Sequence, residues 1–66
     1  MSRETRYNMA RKLILETLIK NKDGLTFSEL IAKVKFSKED VLDALNELLN
    51  YTPLVGIQGE KYFFRG

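Results

Sequence analysis

Apolar residues recur at helical spacing in the first third of the chain. From about Arg6 to Asn21 there is no Gly or Pro, and good helix formers dominate. The apolar residues form one broad stripe, namely Tyr7, Ala10, Ile14, Leu15 and Leu18. The Asp23-Gly24 pair is a typical stop signal, so the pattern predicts one helix before it. Residues 1–5 are polar, and we expect them to form a flexible tail.

Two shorter helices are predicted next, each opened by a residue that caps helix N-termini. Thr26 precedes Glu29 by three positions, which is the spacing of a capping box, and this helix should end near Lys33. Ser37 is the next cap, and the third helix is expected from Lys38 to about Asn50. The apolar positions of the two helices are Leu30, Ile31, Val34, Val41, Leu42, Leu45, Leu48 and Leu49.

The C-terminal part of the chain has a pattern typical of strands. Thr52-Pro53 ends the third helix, because Pro disfavours helical backbone in the residue before it. Two runs rich in β-forming residues, 54–57 and 61–64, are separated by Gln58-Gly59-Glu60. This arrangement predicts a β-hairpin in which Gly59 supplies a positive φ. Since an isolated hairpin is unstable in water, it must pack on the helices, and Leu25 is available as a third strand at its edge.

One hydrophobic core follows from these elements. It consists of one face of the hairpin together with Ala10, Ile14, Leu15, Leu18, Leu25, Leu30, Ile31, Val34, Phe36, Val41, Leu45, Leu48 and Val55. The aromatic residues Tyr51, Tyr62, Phe63 and Phe64 suggest a platform for stacking bases. Alternation places Tyr62 and Phe64 on one strand face and Phe63 on the other. At least one face must pack on the helices, so we favour a core role and leave only the outward position as a candidate for stacking.

Three helices, the last two joined by a short turn, and then a hairpin resemble the winged helix-turn-helix family of DNA-binding domains in bacterial and archaeal regulators. The resemblance covers residues 10–64 and rests on an ordered set, which is Ile14, Leu15, Leu18, Gly24-Leu25-Thr26, Glu29-Leu30-Ile31, Phe36-Ser37, Val41, Leu45, Leu54-Val55 and Gly59. It implies an α+β fold with a three-helix core and a C-terminal wing, as a single domain over residues 1–66. It also implies a DNA-binding, regulatory function.

Three features depart from the family pattern. Lys35 stands in the inter-helix turn where the family often has Gly, and the wing is short. In family members that read DNA, the outward face of the third helix enters the major groove. Here the residues expected on that face are Glu39, Asp40, Asp43, Asn46, Glu47 and Asn50. Carboxylates approach phosphates unfavourably, so ordinary major-groove docking by this helix is disfavoured.

The composition removes most catalytic chemistry. The 66-residue chain has no Cys and no His, so thiolate and imidazole chemistry are excluded. The acids of the third helix lie on an exposed convex face, which does not raise a pKa as a general acid requires. We therefore expect no enzymatic activity, no metal and no cofactor. The longest apolar run, Leu13-Ile14-Leu15, is too short to span a membrane, and a cytoplasmic protein is expected.

Charge is distributed unevenly along the chain, although the net charge is only +2. Residues 1–22 contain six Lys or Arg and two Glu, whereas residues 37–50 contain one Lys and four acids. Phosphates need only positive charge and donors, so double-stranded DNA is the first predicted partner. The predicted contacts are Arg3, Arg6, Arg11, Lys12, Lys33, Lys35, Ser37, Lys38, Lys61 and Arg65. For each of them, a solvated surface charge is the alternative.

A protein-interaction module without DNA binding is the alternative function. An acidic helix face suits a basic partner, which would be bound by Glu39, Asp43 and Glu47. Met9 and Leu13 fall on the side of the first helix away from Ile14 and Leu18. Together with Ile19 they predict a self-association patch and a homodimer, although apolar residues exposed singly are also common on monomers.

Overall fold

Three helices and a small antiparallel sheet form an α+β fold. The computed structural model describes the backbone of residues 3–66 and the side chains of residues 5–66. In chain order the elements are α1 (Arg3–Lys20), β1 (Leu25–Thr26), α2 (Phe27–Val34), α3 (Lys38–Tyr51), β2 (Val55–Gln58) and β3 (Lys61–Phe64). The strand order is β1-β3-β2, so the last strand of the chain lies in the middle of the sheet.

Helix α1 begins earlier than the sequence pattern predicted. We expected residues 1–5 to form a tail, but the helix starts at Arg3, and residues 1 and 2 lie outside the described part of the chain. The segment from residue 3 to residue 20 contains no Gly or Pro, so its sequence does not interrupt a helix there. The predicted stop is confirmed, since α1 ends at Lys20 and Gly24 has a φ of +92°.

The capping box predicted for α2 is present. The Glu29 N–H donates to Thr26 Oγ1 at 3.3 Å, and the Thr26 N–H donates to Glu29 Oε1 at 2.9 Å. Hydrogen bonds from the Thr26 backbone and side chain lower the pKa of the Glu29 carboxyl, because they stabilise its charged form. The capping box fixes the N-terminus of this short helix. The helix ends at Val34, one residue later than expected.

The turn between α2 and α3 is built on a left-handed residue. Lys35 has a φ of 59° and a ψ of 30°, and its N–H donates to the Ile31 carbonyl at 3.1 Å. Two residues later, Ser37 caps α3 as predicted, because its hydroxyl accepts from the Asp40 N–H at 3.2 Å. Lys35 therefore occupies the backbone position that glycine would fill with less strain.

The hairpin is tighter than predicted. Strand β2 runs to Gln58, which pairs with Lys61, so only Gly59 and Glu60 form the loop. Gly59 has a φ of +63°, as a two-residue hairpin loop requires. The edge strand predicted at Leu25 is also confirmed, because Leu25 pairs with Tyr62 on the other side of β3.

The core lies between the helices and the inner face of the sheet. Its buried residues are Ala10, Ile14, Leu18, Leu25, Leu30, Val34, Val41, Ala44, Leu45, Leu48 and Val55. Leu15, Ile31 and Phe36 were expected inside, but they are half-buried and pack on its edge. Leu42 lies about 100° around α3 from Val41 and is 43% exposed, at the margin of the buried face. The small Ala44 belongs to that face and was missed.

Candidate interaction surfaces

Two of the arginines expected to contact phosphates form ion pairs with α3. The Arg11 Nη1 atom lies 2.6 Å from Glu47 Oε1, and both side chains are about one-third exposed, at 37% and 33%. The Arg6 Nε atom lies 3.8 Å from Asp40 Oδ2. The basic N-terminal helix therefore lies beside the acidic third helix, and part of the uneven charge in the sequence is neutralised within the fold.

Tyr7 belongs to the same contact between α1 and α3. Its hydroxyl donates to Glu47 Oε2 and lies 3.5 Å from the Asp43 carbonyl oxygen. The guanidinium carbon of Arg11 lies 5.9 Å from the centre of the Tyr7 ring. Partial burial, and then the hydrogen bond to Glu47, raise the pKa of Tyr7 to about 12, so it remains a neutral donor near pH 7.

The structure corrects the predicted outward face of α3. Asp43 and Glu39 are exposed there together with Asn46 and Asn50, as expected. Asp40 and Glu47 are half-buried, because they turn toward the arginines of α1. The acidic face that opposes DNA is thus smaller than the sequence pattern indicated.

The cations around the inter-helix turn stay exposed. Lys33 lies in the last turn of α2, Lys35 is the left-handed residue, and Lys38 is the first residue of α3. Ser37, also expected to contact phosphates, is exposed and uses its hydroxyl as the α3 cap. These predicted contacts are brought together by the turn itself.

The hairpin and the residue after it contribute two further exposed cations, Lys61 and Arg65. Lys61 pairs with Thr26, the N-cap of α2, across the β1–β3 ladder. After the hydrogen bonds from Thr26, Lys61 and Lys33 contribute to lowering the pKa of Glu29. Arg65 is exposed just after β3. Lys61 therefore lies beside the start of α2, whereas Arg65 lies at the other end of β3, where its N–H donates to the Leu54 carbonyl at 2.7 Å.

The remaining predicted contacts are separate from this group. Lys12 is exposed on α1, and the side chain of Arg3 lies outside the described residues. The ten predicted contacts therefore do not form one surface, because the ion pairs assign Arg6 and Arg11 to the α1–α3 contact.

The self-association patch predicted on α1 is only partly formed. Met9 is 43% exposed and Ile19 is 48% exposed, as expected for residues away from the core. Leu13 is half-buried and packs against the core, so it does not form an exposed pair with Met9. Leu13 lies about 40° around the helix from Met9, toward the buried face. A homodimer through α1 stays a prediction.

A groove of about 670 Å³ runs between α1 and α3. Its lining residues are Tyr7, Asp40, Asp43, Asn46, Glu47, Asn50 and Tyr51. Tyr51 is 82% exposed at the C-terminal end of α3. The groove combines carboxylates, amides and two tyrosines. The sequence pattern did not predict it, because Tyr7 of α1 is far in the sequence from the α3 residues that form the rest of the lining.

A smaller, mainly apolar cleft of about 420 Å³ lies at the end of α1. Leu18, Ile19 and Lys22 line one side, and Phe64 and Gly66 line the other. Tyr62 and Phe64 pack against the core, so theirs is the strand face that the sequence argument required to contact the helices.

Comparisons of the chain with protein-family models, curated proteins and solved structures find no match. Within the described residues, no group of acids is arranged to hold a metal ion. In that same part of the chain, no helix combines the length and apolar character needed to cross a membrane.

Proposed function

We propose that the chain is a cytoplasmic winged-helix protein that binds double-stranded DNA through its phosphates and acts in transcription regulation. The order of three helices and a three-stranded sheet is compatible with this fold family. In that layout, α2, the turn and α3 form the helix-turn-helix, and β2 and β3 form the wing. The fold class alone does not define the function, whereas the charged surface supports phosphate binding.

The backbone conformation of Lys35 is the observation that supports this proposal most directly. A left-handed backbone costs a residue with a side chain about 1 kcal/mol relative to glycine. Lys35 nevertheless has a φ of 59° and is exposed. A strained residue in an exposed turn suggests that its side chain has a function. Its neighbours Lys33 and Lys38 make phosphate binding the function that fits best.

The start of α3 adds a second source of positive potential. The N-terminus of a helix attracts anions through its dipole and its free N–H groups, and Lys38 lies in its first turn. Lys61 and Arg65 add two exposed cations, one at each end of β3. These groups contact the sugar-phosphate backbone, which gives affinity and orientation but carries no direct sequence information.

The ion pairs between the helices determine how DNA is approached. Arg6 and Arg11 neutralise Asp40 and Glu47, which leaves Asp43 and Glu39 as the exposed acids of α3. Because these two still repel phosphates, we propose contact through the turn and the hairpin rather than insertion of α3 into the major groove. Asp43→Arg should then strengthen duplex binding, since it replaces repulsion with attraction.

The proposal is tested by fluorescence anisotropy of a labelled generic duplex at two salt concentrations. We expect micromolar binding that weakens steeply with salt. Lys35→Gly should weaken binding while raising the free energy of unfolding by about 0.5–1 kcal/mol, because it removes a charge and relieves backbone strain. Lys20→Gln is the matched control, since it removes an exposed charge from the end of α1.

Two results would overturn the proposal. One is the absence of duplex binding at low salt. The other is an equal loss of affinity in Lys35→Gly and Lys20→Gln, which would show that duplex binding depends on the net charge of the protein and not on the position of Lys35.

A further inference from the structure

The groove between α1 and α3 has a chemistry opposite to that of the turn. Asp40, Asp43 and Glu47 supply carboxylates to its lining, whereas Tyr7 and Tyr51 supply aromatic rings. We propose that this groove binds an arginine-bearing, basic segment of a partner protein. The proposal does not depend on DNA binding, because it uses residues that are not part of the turn or the hairpin.

The structure already shows how this groove wall holds a guanidinium group. Arg11 lies with its guanidinium carbon 5.9 Å from the centre of the Tyr7 ring and with Nη1 2.6 Å from Glu47 Oε1. Aromatic stacking combined with a carboxylate is the environment that arginine prefers. The combination of tyrosine and acid is therefore compatible with guanidinium binding in this fold.

The rest of the groove offers the same two kinds of group, a tyrosine ring and a carboxylate, at separate positions along α3. Tyr51 follows Asp43 by eight positions on α3, so the two side chains line the same groove about 12 Å apart along the helix axis. Among the described residues, no cation lies over the Tyr51 ring, and the Asp43 carboxylate has no ion-pair partner. The ring, which is 82% exposed, and the Asp43 carboxylate are therefore available to two different arginine side chains of one partner segment.

Charge complementarity specifies the occupant. A duplex would bring phosphates toward the exposed carboxylate of Asp43, which costs free energy, whereas an arginine side chain would neutralise it. Asn46 and Asn50 also line the groove and supply amide groups that can hydrogen-bond an extended peptide backbone. A volume of about 670 Å³ is within the usual range of ligand sites and accommodates one or two side chains.

The probe is an acetylated, amidated Gly-Arg-Gly-Arg-Gly peptide, titrated into the protein while amide proton–nitrogen NMR spectra are recorded. Its control contains citrulline in place of arginine, which keeps the shape and removes the charge. We expect the arginine peptide to shift signals along α1 and α3 around Tyr7, Asp43 and Tyr51. The citrulline peptide should leave them in place.

Variants locate the contact. Tyr51→Ala should weaken peptide binding about two- to fivefold, and Tyr51→Phe should retain it, because the ring face supplies the attraction. Asp43→Asn should also weaken binding about two- to fivefold. Glu39→Gln is its charge-matched control on α3, since Glu39 does not line the groove and should leave the affinity unchanged.

Several outcomes would overturn this inference. They are equal binding of the arginine and citrulline peptides, signal shifts confined to other elements, and equal losses in Asp43→Asn and Glu39→Gln. Lys33→Gln distinguishes the two proposals, because it should weaken duplex binding and leave peptide binding unchanged. Failure of one proposal is therefore visible while the other stands.

Discussion

Tyr7, Arg11 and Glu47 form a cluster in which each side chain interacts with the other two. The pair of Arg11 and Glu47 is partly exposed, so its net contribution to stability is at most about 1 kcal/mol. Its larger effect is on position, because it fixes α1 against α3 and gives Glu47 a partner. The side chain of Arg11 is therefore committed to the fold rather than free for a phosphate.

The hydroxyl of Tyr7 makes the stability of this cluster depend on pH. The pKa of Tyr7 is about 12 in the folded protein, against an ordinary value of 10, so the folded state holds the proton more tightly. The resulting stabilisation is complete below about pH 10 and is lost as the pH rises through 12. Tyr7→Phe should be less stable than the parent near pH 7, and this difference should shrink between pH 10 and 12.

The measurement is the urea midpoint of both proteins across that pH range. A difference that stays constant to pH 12 would show that the raised pKa of Tyr7 does not contribute to stability.

Gly56 in β2 lies beneath the ring of Phe63, its cross-strand partner. A Cβ atom at position 56 would lie 2.7 Å from Phe63 Cζ and 2.7 Å from Arg65 Cδ. The exposed Arg65 side chain can move away, but the half-buried ring has less freedom. Gly56→Ala should therefore lower the free energy of unfolding by about 1–3 kcal/mol, measured by urea denaturation. In a Phe63→Ala background the same change should cost less, and an equal cost would contradict this explanation.

At the scale of elements, the sequence predicted the features that depend on contacts between residues close together in the chain. Thr26 with Glu29, Ser37 with Asp40, and the positive φ of Gly59 each act within a few residues, and all are present. The pairing of Arg11 with Glu47 joins residues 36 positions apart, and the sequence pattern does not contain their relative orientation. This is why the helices and hairpin were predicted, whereas the ion pairs, the groove and the inward turn of Glu47 were not.

The start of α2 is expected to depend on its cap. Thr26→Ala removes the side-chain acceptor for the Glu29 N–H and should lower the free energy of unfolding by about 1 kcal/mol. Ser28→Ala is the control, because Ser28 is exposed in the same helix and should change stability by less than about 0.5 kcal/mol. Chemical denaturation of the two variants compares them directly. Equal effects would mean that the cap adds no more than an ordinary surface hydroxyl.

At the scale of the whole molecule, some cations form ion pairs within the fold and others are exposed to solvent. Within the described residues, Arg6 and Arg11 compensate acids of α3, whereas Lys33, Lys35 and Lys38 are exposed at the turn. A net charge of +2 therefore understates the cationic character of one side of the fold and the acidic character of the groove. The first side suits phosphates and the second suits a basic peptide, so one small domain offers two surfaces of opposite charge.

The difference between exposed and ion-paired cations predicts how the affinity for a duplex responds to salt. If the five cations at the turn and the hairpin contact phosphates, the logarithm of the binding constant should fall against the logarithm of salt concentration with a slope of about −4.5. Lys33→Gln should reduce the magnitude of that slope by about 1. Arg11→Gln should leave the slope unchanged while lowering the free energy of unfolding, because Arg11 is paired with Glu47.

Anisotropy titrations over a salt series, with urea denaturation of the same variants, measure both quantities. A slope reduced equally by Arg11→Gln and Lys33→Gln would place Arg11 among the phosphate contacts. The ion pair between α1 and α3 would then open when DNA binds, and the acids of α3 would have to move away from the duplex.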